Sequence, residues 1–349
     1  MSDQRATNLP NWIPDRIPPC PDKLVWDSFL SVWHMPSLAA ASEARLFDAL
    51  AEAPATAEEL AANLQLDLET LKAMLPLLCA LGFLEVRLGR YQPTATAQTY
   101  LLTGSPYYWP HAFGVHARLN LTIHVLRALG VAPPEDTFSP ADAWESGELG
   151  EELGRQIGAI MNSHSVPAAL AAAQLPRFRK VRHVMDVGGG SGCFSIALAR
   201  ANPGLKATVM ELPAMCTVAQ RYITDSKVAD AVQTRAVDMF REEWPRGHDA
   251  CFFSNVFHDW GPETNRELAV KAFASLPSGG TIHLHEMLMD EDGSGPLSAA
   301  SFSMLMRIGT RGRQYSAPEL AGFLESAGFR DVEATHSYGY FSVVSATKV

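Results

Sequence analysis

At 349 residues, with 47% apolar and 19% charged residues, the chain has the make-up of a globular protein and the length for two domains with substantial cores. A net charge of −10 argues against nucleic acid, whose phosphates need clustered Lys and Arg, and no apolar run is long enough to span a membrane. The five cysteines (Cys20, Cys79, Cys193, Cys216, Cys251) contain no C-x-x-C and disfavour a disulfide framework or zinc knuckle; with no apolar stretch after Met1-Ser2-Asp3-Gln4-Arg5, a cytoplasmic protein is expected.

Met1 to Pro21 is Pro-rich and is expected to form an arm lying on another surface. Asp27 to Leu50 reads as mostly helix, kinked or split at Pro36. Thr56-Ala57-Glu58-Glu59 is a capping box opening a short helix to about Leu64, because Thr56 caps the first turn while Glu59 reaches back. A second helix, Leu68 to Leu81, and two short strands at Phe83–Val86 and Arg90–Gln92 complete a winged helix-turn-helix pattern. That pattern raises a transcription regulator as a rival function. The would-be recognition helix, however, carries Asp67, Glu69 and only Lys72 as a base, where a major-groove helix wants Arg, Lys, Asn or Gln. Burial against a second subunit is the expected use of these apolar helices.

From Tyr107 to Leu175 run helical segments holding Trp109, His111, Phe113, His116, Asn120, His124, Met161, Asn162 and His164. Taken one at a time, each fits ordinary helix packing as readily as ligand contact.

The most informative stretch follows. An apolar strand, Val181 to Val187, carries Asp186 near its end and turns through Gly188-Gly189-Gly190-Ser191-Gly192 into an amphipathic helix from Cys193 to about Asn202. Glycine permits both the tight bend and close backbone approach by a ligand, and the helix N-terminus offers free N–H groups. Alone, such a turn serves equally as a plain strand-to-helix connection. A second strand, Lys206 to Met210, then ends in Glu211, placed to accept both hydroxyls of a ribose. A third, Val232 to Ala236, leads to Asp238-Met239-Phe240, where a carboxylate meets an exocyclic amine and Met and Phe sandwich a purine. Nicotinamide dinucleotides are the first competitor, but their fingerprint is G-x-G-x-x-G, whereas Gly188, Gly190 and Gly192 give G-x-G-x-G with no basic residue in the loop. Asp186, Glu211 and Asp238 make an electronegative site that suits the cationic S-adenosylmethionine better than a diphosphate. A fourth strand (Asp249–Ser254), a fifth (Thr281–Leu288), a helix from Ser316 to Ala327 and two closing strands, the last Tyr340–Thr347, finish the domain.

In this order the motifs resemble those of the small-molecule O-methyltransferases, the class I family that includes plant caffeic-acid-type and bacterial antibiotic-tailoring enzymes. The matching residues are Asp186-Val187-Gly188-Gly189-Gly190-Ser191-Gly192, Glu211-Leu212-Pro213, Val237-Asp238-Met239-Phe240, Ser254-Asn255-Val256-Phe257-His258-Asp259-Trp260 and the strand ending in Glu286. The likeness runs from about Asp27 to the C-terminus. It implies an α/β protein: a Rossmann-like seven-stranded methyltransferase sheet with an N-terminal, mainly α winged-helix dimerisation domain. The expected division is an arm and dimerisation domain over 1–105, a helical linker and acceptor-pocket segment over 106–175, and a cofactor-binding catalytic domain over 176–349.

The resemblance also implies roles. His258 is the general base, oriented by Glu286; Asp186, Gly188, Gly190, Glu211, Leu212, Asp238, Met239, Phe240, Ser254 and Asn255 contact S-adenosylmethionine; Met161, Asn162, His116 and Asp259 face the acceptor; and no metal is required. Three positions depart from the pattern. Glu211 replaces the commoner Asp. Ser254 stands where plant members carry Lys against the adenine. Gln314, in Gly312-Arg313-Gln314-Tyr315-Ser316, replaces a second Glu beside the histidine, leaving His258 less firmly held as a cation.

The chemistry accords with these roles. Methyl transfer from a sulfonium is an in-line displacement for which positioning can be worth roughly 7–11 kcal/mol, and a base within reach of a phenol adds about 10²–10⁴-fold. An imidazole after the fourth strand suits that task, although a histidine there could equally cap the turn before Pro262. A metal site built from His258-Asp259 with His283 or His285 is disfavoured, because the two strand histidines face away from the side Glu286 uses. The expected protein is a homodimer methylating the hydroxyl of a small aromatic. C-methylation ortho to a phenol, N-methylation, and retention of the cofactor as a structural cation without methyl transfer remain open alternatives.

Overall fold

The computed structural model describes residues 13–105, 108, 110 and 151–349. They group into two compact units that interleave along the chain: residues 23–105, 108 and 110 with 288–316, and residues 13–22 with 151–287 and 317–349. The sequence reading divides the chain linearly instead.

The N-terminal unit is helical. Helix α1 (Lys23–Leu30) passes through a 3₁₀ turn (Ser31–Trp33) into α2 (His34–Glu43), and α3 (Leu46–Glu52) follows Arg45 in the left-handed region. The expected break falls just before Pro36, which sits in the first turn of α2, where its missing N–H costs no intrahelical bond. Helix α4 (Ala57–Leu64) starts with both hydrogen bonds of the capping box, Glu59 N–H to Thr56 Oγ1 and Thr56 N–H to Glu59 Oε2. Helix α5 (Leu68–Ala80) and the hairpin β1 (Leu84–Arg87) and β2 (Arg90–Pro93) complete the winged-helix pattern, and α6 (Ala95–Tyr100) follows. The apolar side of α5 (Leu71, Leu75, Leu78) is fully buried. Along α5 packs a later helix, Leu297–Gly309, whose Arg307 donates to Asp67 at 2.6 Å and to Thr70 at 2.9 Å.

The catalytic unit starts with α7 (Glu151–Ala172) and alternates strand and helix: β3 (His183–Val187), α8 (Cys193–Ala201), β4 (Lys206–Glu211), α9 (Pro213–Asp225), β5 (Val232–Ala236), β6 (Ala250–Ser254), α10 (Pro262–Ser275) and β7 (Thr281–Met287). After the excursion into the N-terminal unit come α11 (Ala317–Ser326), β8 (Phe329–Tyr338) and β9 (Phe341–Lys348). The seven strands run in the order β5-β4-β3-β6-β7-β9-β8; those from β5 to β7 are parallel, and β9 is antiparallel to both its neighbours. The central strands are covered on both faces, hence their unbroken apolar runs such as Val184-Met185 and Cys251-Phe252-Phe253. Strand order reverses between β3 and β6, so a crevice opens at their carboxyl ends, where ligands bind in open α/β sheets.

Part of the expected arm is visible. Ile13 is buried, its N–H donates to Ser226 Oγ at 3.1 Å, and its carbonyl accepts from Arg200, which also pairs with Asp15 at 3.0 Å. Residues 1–12 lie outside the described set.

Candidate active site

The glycine turn closes β3 at the crevice. Gly188, Gly190 and Gly192 take φ of +66°, +55° and +76°, the left-handed region that penalises every other residue type. Space is tight as well: a Cβ on Gly188 would stand 3.0 Å from Val256 Cγ2, and one on Gly189 would stand 2.7 Å from Asp186 Cγ. Asp186 is thus folded beneath the turn. Its Oδ2 accepts from Ser195 Oγ at 2.7 Å, while its buried Oδ1 has no hydrogen-bond partner among the described residues. Burial raises its carboxyl to about 6, partly offset by the Ser195 hydroxyl.

Glu211, at the tip of β4, turns back on the same loop. Its Oε1 accepts from Gly190 N–H at 3.2 Å and its Oε2 from Leu212 N–H at 2.8 Å. Burial lifts this carboxyl to about 7, against the pull of the Leu212 and Gly190 N–H groups. Beyond β5, Asp238 is committed locally: Oδ1 accepts from the N–H groups of Phe240 (2.9 Å) and Arg241 (3.2 Å), and Oδ2 lies 3.4 Å from the Arg241 guanidinium. Met239 and Phe240 follow, and the Phe240 ring meets Trp260 edge-on at 4.8 Å between centroids. Lys271, on α10, donates to the carbonyls of Met239 (2.8 Å), Phe240 (2.6 Å) and Glu242 (3.2 Å). Nothing in the sequence marks this lysine, one of two cations on its helix.

Next to the turn, β6 ends in Ser254 and Asn255. Ser254 Oγ lies 3.0 Å from His285 Nδ1 on β7, and Asn255 adopts φ +54° with its buried Oδ1 unpartnered among the described residues. One turn of 3₁₀ helix (Phe257–Asp259) then presents His258, which is 4% exposed. Its Nδ1 lies 3.3 Å from Glu286 Oε2, within ion-pair range but without hydrogen-bond alignment, and Glu286 Oε1 is fixed by Phe257 N–H at 3.1 Å. Nε2 lies 3.6 Å from Asp259 Oδ1. Burial pushes the carboxyls of both Asp259 and Glu286 well above the ordinary range, and for Glu286 the facing Asp259 adds to the rise. Asp259, expected to face the acceptor, therefore stands as a second acid beside the imidazole. Adjacency in sequence hid this relation, because only the 3₁₀ turn brings side chains 258 and 259 together.

Met161 and Asn162, also expected at the acceptor, lie on the glycine turn. A Cβ on Gly190 would stand 3.4 Å from Met161 Sδ, and Asn162 Oδ1 accepts from Ser191 Oγ at 3.1 Å. Gln314 is fully buried within the N-terminal unit, its N–H donating to Ser303 Oγ at 3.2 Å. His116 lies outside the described residues, as do Trp109, His111, Phe113, Asn120 and His124. His283 and His285 are buried on the sheet face opposite Glu286, and the described residues hold no cluster of three or more metal-ligating side chains.

The residues at the crevice fit a cationic nucleoside. The unpartnered buried oxygens of Asp186 and Asn255 and the Glu211 carboxyl form an oxygen-rich cradle, and burial disfavours ionisation of Asp186 and Glu211 until a cation is bound beside them. The side-chain-free turn leaves the backbone open to close approach.

Comparison with known proteins agrees. Residues 26–103 match the O-methyltransferase dimerisation domain and residues 123–330 the O-methyltransferase domain. The 3-hydroxy-5-methyl-1-naphthoate 3-O-methyltransferase of Streptomyces sahachiroi is 35% identical over 93% of this chain and 95% of its own. An O-methyltransferase family 2 protein from Planctomyces limnophilus, solved in complex with apigenin, superposes with a TM-score of 0.84 at 26% identity, over 96% of this chain and 98% of its own. Human N-acetylserotonin methyltransferase, solved in complex with SAM, covers 93% of this chain and 96% of its own at 25% identity and a TM-score of 0.54. The chain belongs to the O-methyltransferase family and is an S-adenosylmethionine-dependent methyltransferase.

Proposed function

We propose that this methyltransferase acts on the hydroxyl of a small aromatic, phenolic acceptor, with His258 as the base that unmasks it. The observation that carries this reading is the buried imidazole at the carboxyl edge of the sheet, beside the glycine turn and flanked by Glu286 and Asp259. Glu286, anchored by Phe257 N–H, is placed to accept the Nδ1 proton, which leaves Nε2 as the basic nitrogen. Asp259 lies 3.6 Å from that nitrogen and, in its ionised form, favours the protonated imidazole. When bound, S-adenosylmethionine supplies a methyl group on a sulfonium, already an activated leaving group. Asp186, Gly188, Gly190, Glu211 and Leu212 would hold it from the turn and β4, Asp238, Met239 and Phe240 from the loop after β5, and Ser254 and Asn255 from β6. The acceptor class is supported by the Streptomyces relative, whose name gives a hydroxynaphthoate, and by the apigenin complex of the Planctomyces protein.

The functional division is residues 1–105 for pairing, 106–175 for linking and covering the acceptor, and 176–349 for the cofactor. A homodimer accounts for helix α1, which is apolar on both sides. Trp26 and Leu30 are buried, while Leu24, Val25 and Phe29, with Val32 in the 3₁₀ turn that follows, stand more than half exposed. The regulator reading finds no support in α5, whose length is packed along helix Leu297–Gly309. No helix among the described residues is long and apolar enough to cross a membrane.

A screen of phenolic acceptors with ¹³C-methyl-labelled S-adenosylmethionine tests the assignment. The product methyl resonance should fall in the aryl-ether region; one in the aryl-carbon or N-methyl region would overturn the O-methyl reading.

A further inference from the structure

The two edges of the catalytic sheet differ in character. The carboxyl edge carries Asp186, Glu211, Asp259 and Glu286. The amino edge, about 15 Å away along the five residues of β3, is basic. Arg182 precedes β3, Arg246 precedes β6, Lys206 begins β4 and Lys348 ends the antiparallel β9. At this edge lies a cavity of about 430 Å³, floored by His183 and His248 and walled by Leu276 and Pro277.

His248 decides what the cavity is for. It is 5% exposed, and neither ring nitrogen has a hydrogen-bond partner among the described residues. An orphaned imidazole is costly to bury unless a ligand completes it. Its ring packs 4.2 Å from that of His183, whose Nε2 is taken by Thr208 Oγ1 at 2.9 Å. Burial, His183 and Arg235 hold His248 down at about 4, against Asp249 and the nearby Pro245 carbonyl, which closes no hydrogen bond with the ring, so it is neutral and keeps one N–H to give. Arg182 and Arg246 line the same cavity, and among the described residues neither guanidinium pairs with a carboxylate.

Two features would oppose an anion here, and each is partly offset. Asp249 faces the cavity, but Oδ1 accepts from His183 N–H at 2.8 Å and Oδ2 from Arg182 N–H at 2.9 Å. The carbonyl end of α10 points this way too, yet Lys348 Nζ covers the carbonyls of Phe273 (2.6 Å) and Leu276 (2.7 Å).

We propose that this cavity is a second binding site, remote from the methyl-transfer crevice, for a small ligand bearing one oxyanion on an apolar body. The two guanidiniums and the His248 N–H bind the oxyanion, and Leu276 and Pro277 cover the apolar part. The volume falls within the range of small-molecule sites.

The test uses the full-length protein with ¹⁵N-labelled histidine, titrated with phenyl phosphate, benzoate and inorganic phosphate while the imidazole resonances are followed. A His248→Gln variant assigns the signal. We expect saturable movement of the His248 resonance below about 10 mM with at least one aromatic anion, weaker with inorganic phosphate. Phenyl phosphate alone identifies a phosphate monoester site, benzoate alone a carboxylate site. In the double variant Arg182→Gln/Arg246→Gln, both positions being exposed, affinity should fall at least tenfold with methyl transfer in ligand-free buffer unchanged. No saturable shift with either aromatic anion, or an undiminished affinity in the double variant, overturns the proposal.

Discussion

His258 and Glu286 come from different strand ends and meet with Nδ1 3.3 Å from Oε2, both side chains at most 5% exposed. When ionised, a carboxyl so placed selects the tautomer that leaves Nε2 basic. Replacing His258 by Ala should lower turnover of a phenol by about 10²–10⁴-fold and leave S-adenosylmethionine affinity nearly unchanged. Steady-state kinetics with calorimetric titration of the cofactor checks this, and wild-type turnover in the variant would remove the imidazole from the mechanism. Glu286→Gln should depress kcat and shift the acid limb of the rate profile without altering cofactor affinity.

Cofactor binding should release protons. With Asp186 raised to about 6 and Glu211 to about 7, both carboxyls are partly protonated near pH 6.5, and a bound cation favours their ionised forms. Affinity should therefore weaken as pH falls from 8 to 5. Titration in buffers of different ionisation enthalpy measures the protons, and Glu211→Gln should reduce their number.

The same groups govern stability. Their folded-state values lie above those of the unfolded chain, so their contribution is fully present below about pH 4 and is lost as pH rises through about 6 and 7. The ligand-free protein should lose stability over that interval. Saturating cofactor should suppress the loss, as a series of thermal midpoints will show.

Gly188→Ala should cost roughly 1–2 kcal/mol from its left-handed backbone alone, with more from Val256 Cγ2 standing 3.0 Å from the new Cβ. Cofactor affinity should fall with it. A denaturant midpoint indistinguishable from wild type would show that the turn relaxes freely.

Phe29→Glu, on the outer side of α1 where Phe29 is 55% exposed, should yield monomers in sedimentation velocity. A variant that still sediments as a dimer would place the pairing surface elsewhere.

Much of the catalytic sheet is legible in the sequence because parallel strands buried on both faces read as unbroken apolar runs, and each ends in a glycine, acid or Asn that must face the crevice. The capping box at Thr56 is legible for a similar reason: both its partners lie within one helical turn. Relations over long sequence distance are not. Lys271 reaches back to Met239 and Met161 lies on Gly190; neither carries a local signal. Asp238 was readable as an acid at a strand tip, but its commitment to the N–H groups of Phe240 and Arg241 depends on loop geometry.

Helix Leu297–Gly309 is encoded between two strands of the catalytic sheet yet has its apolar seat on α5 and, through Phe302, on Trp26 at 5.4 Å between ring centroids. A gene fragment beginning at residue 176 would release that helix with its greasy side bare. Chimaeras that exchange front halves between relatives must carry residues 288–316 with the donor's first hundred, or the swapped pieces will mismatch where they were meant to interlock.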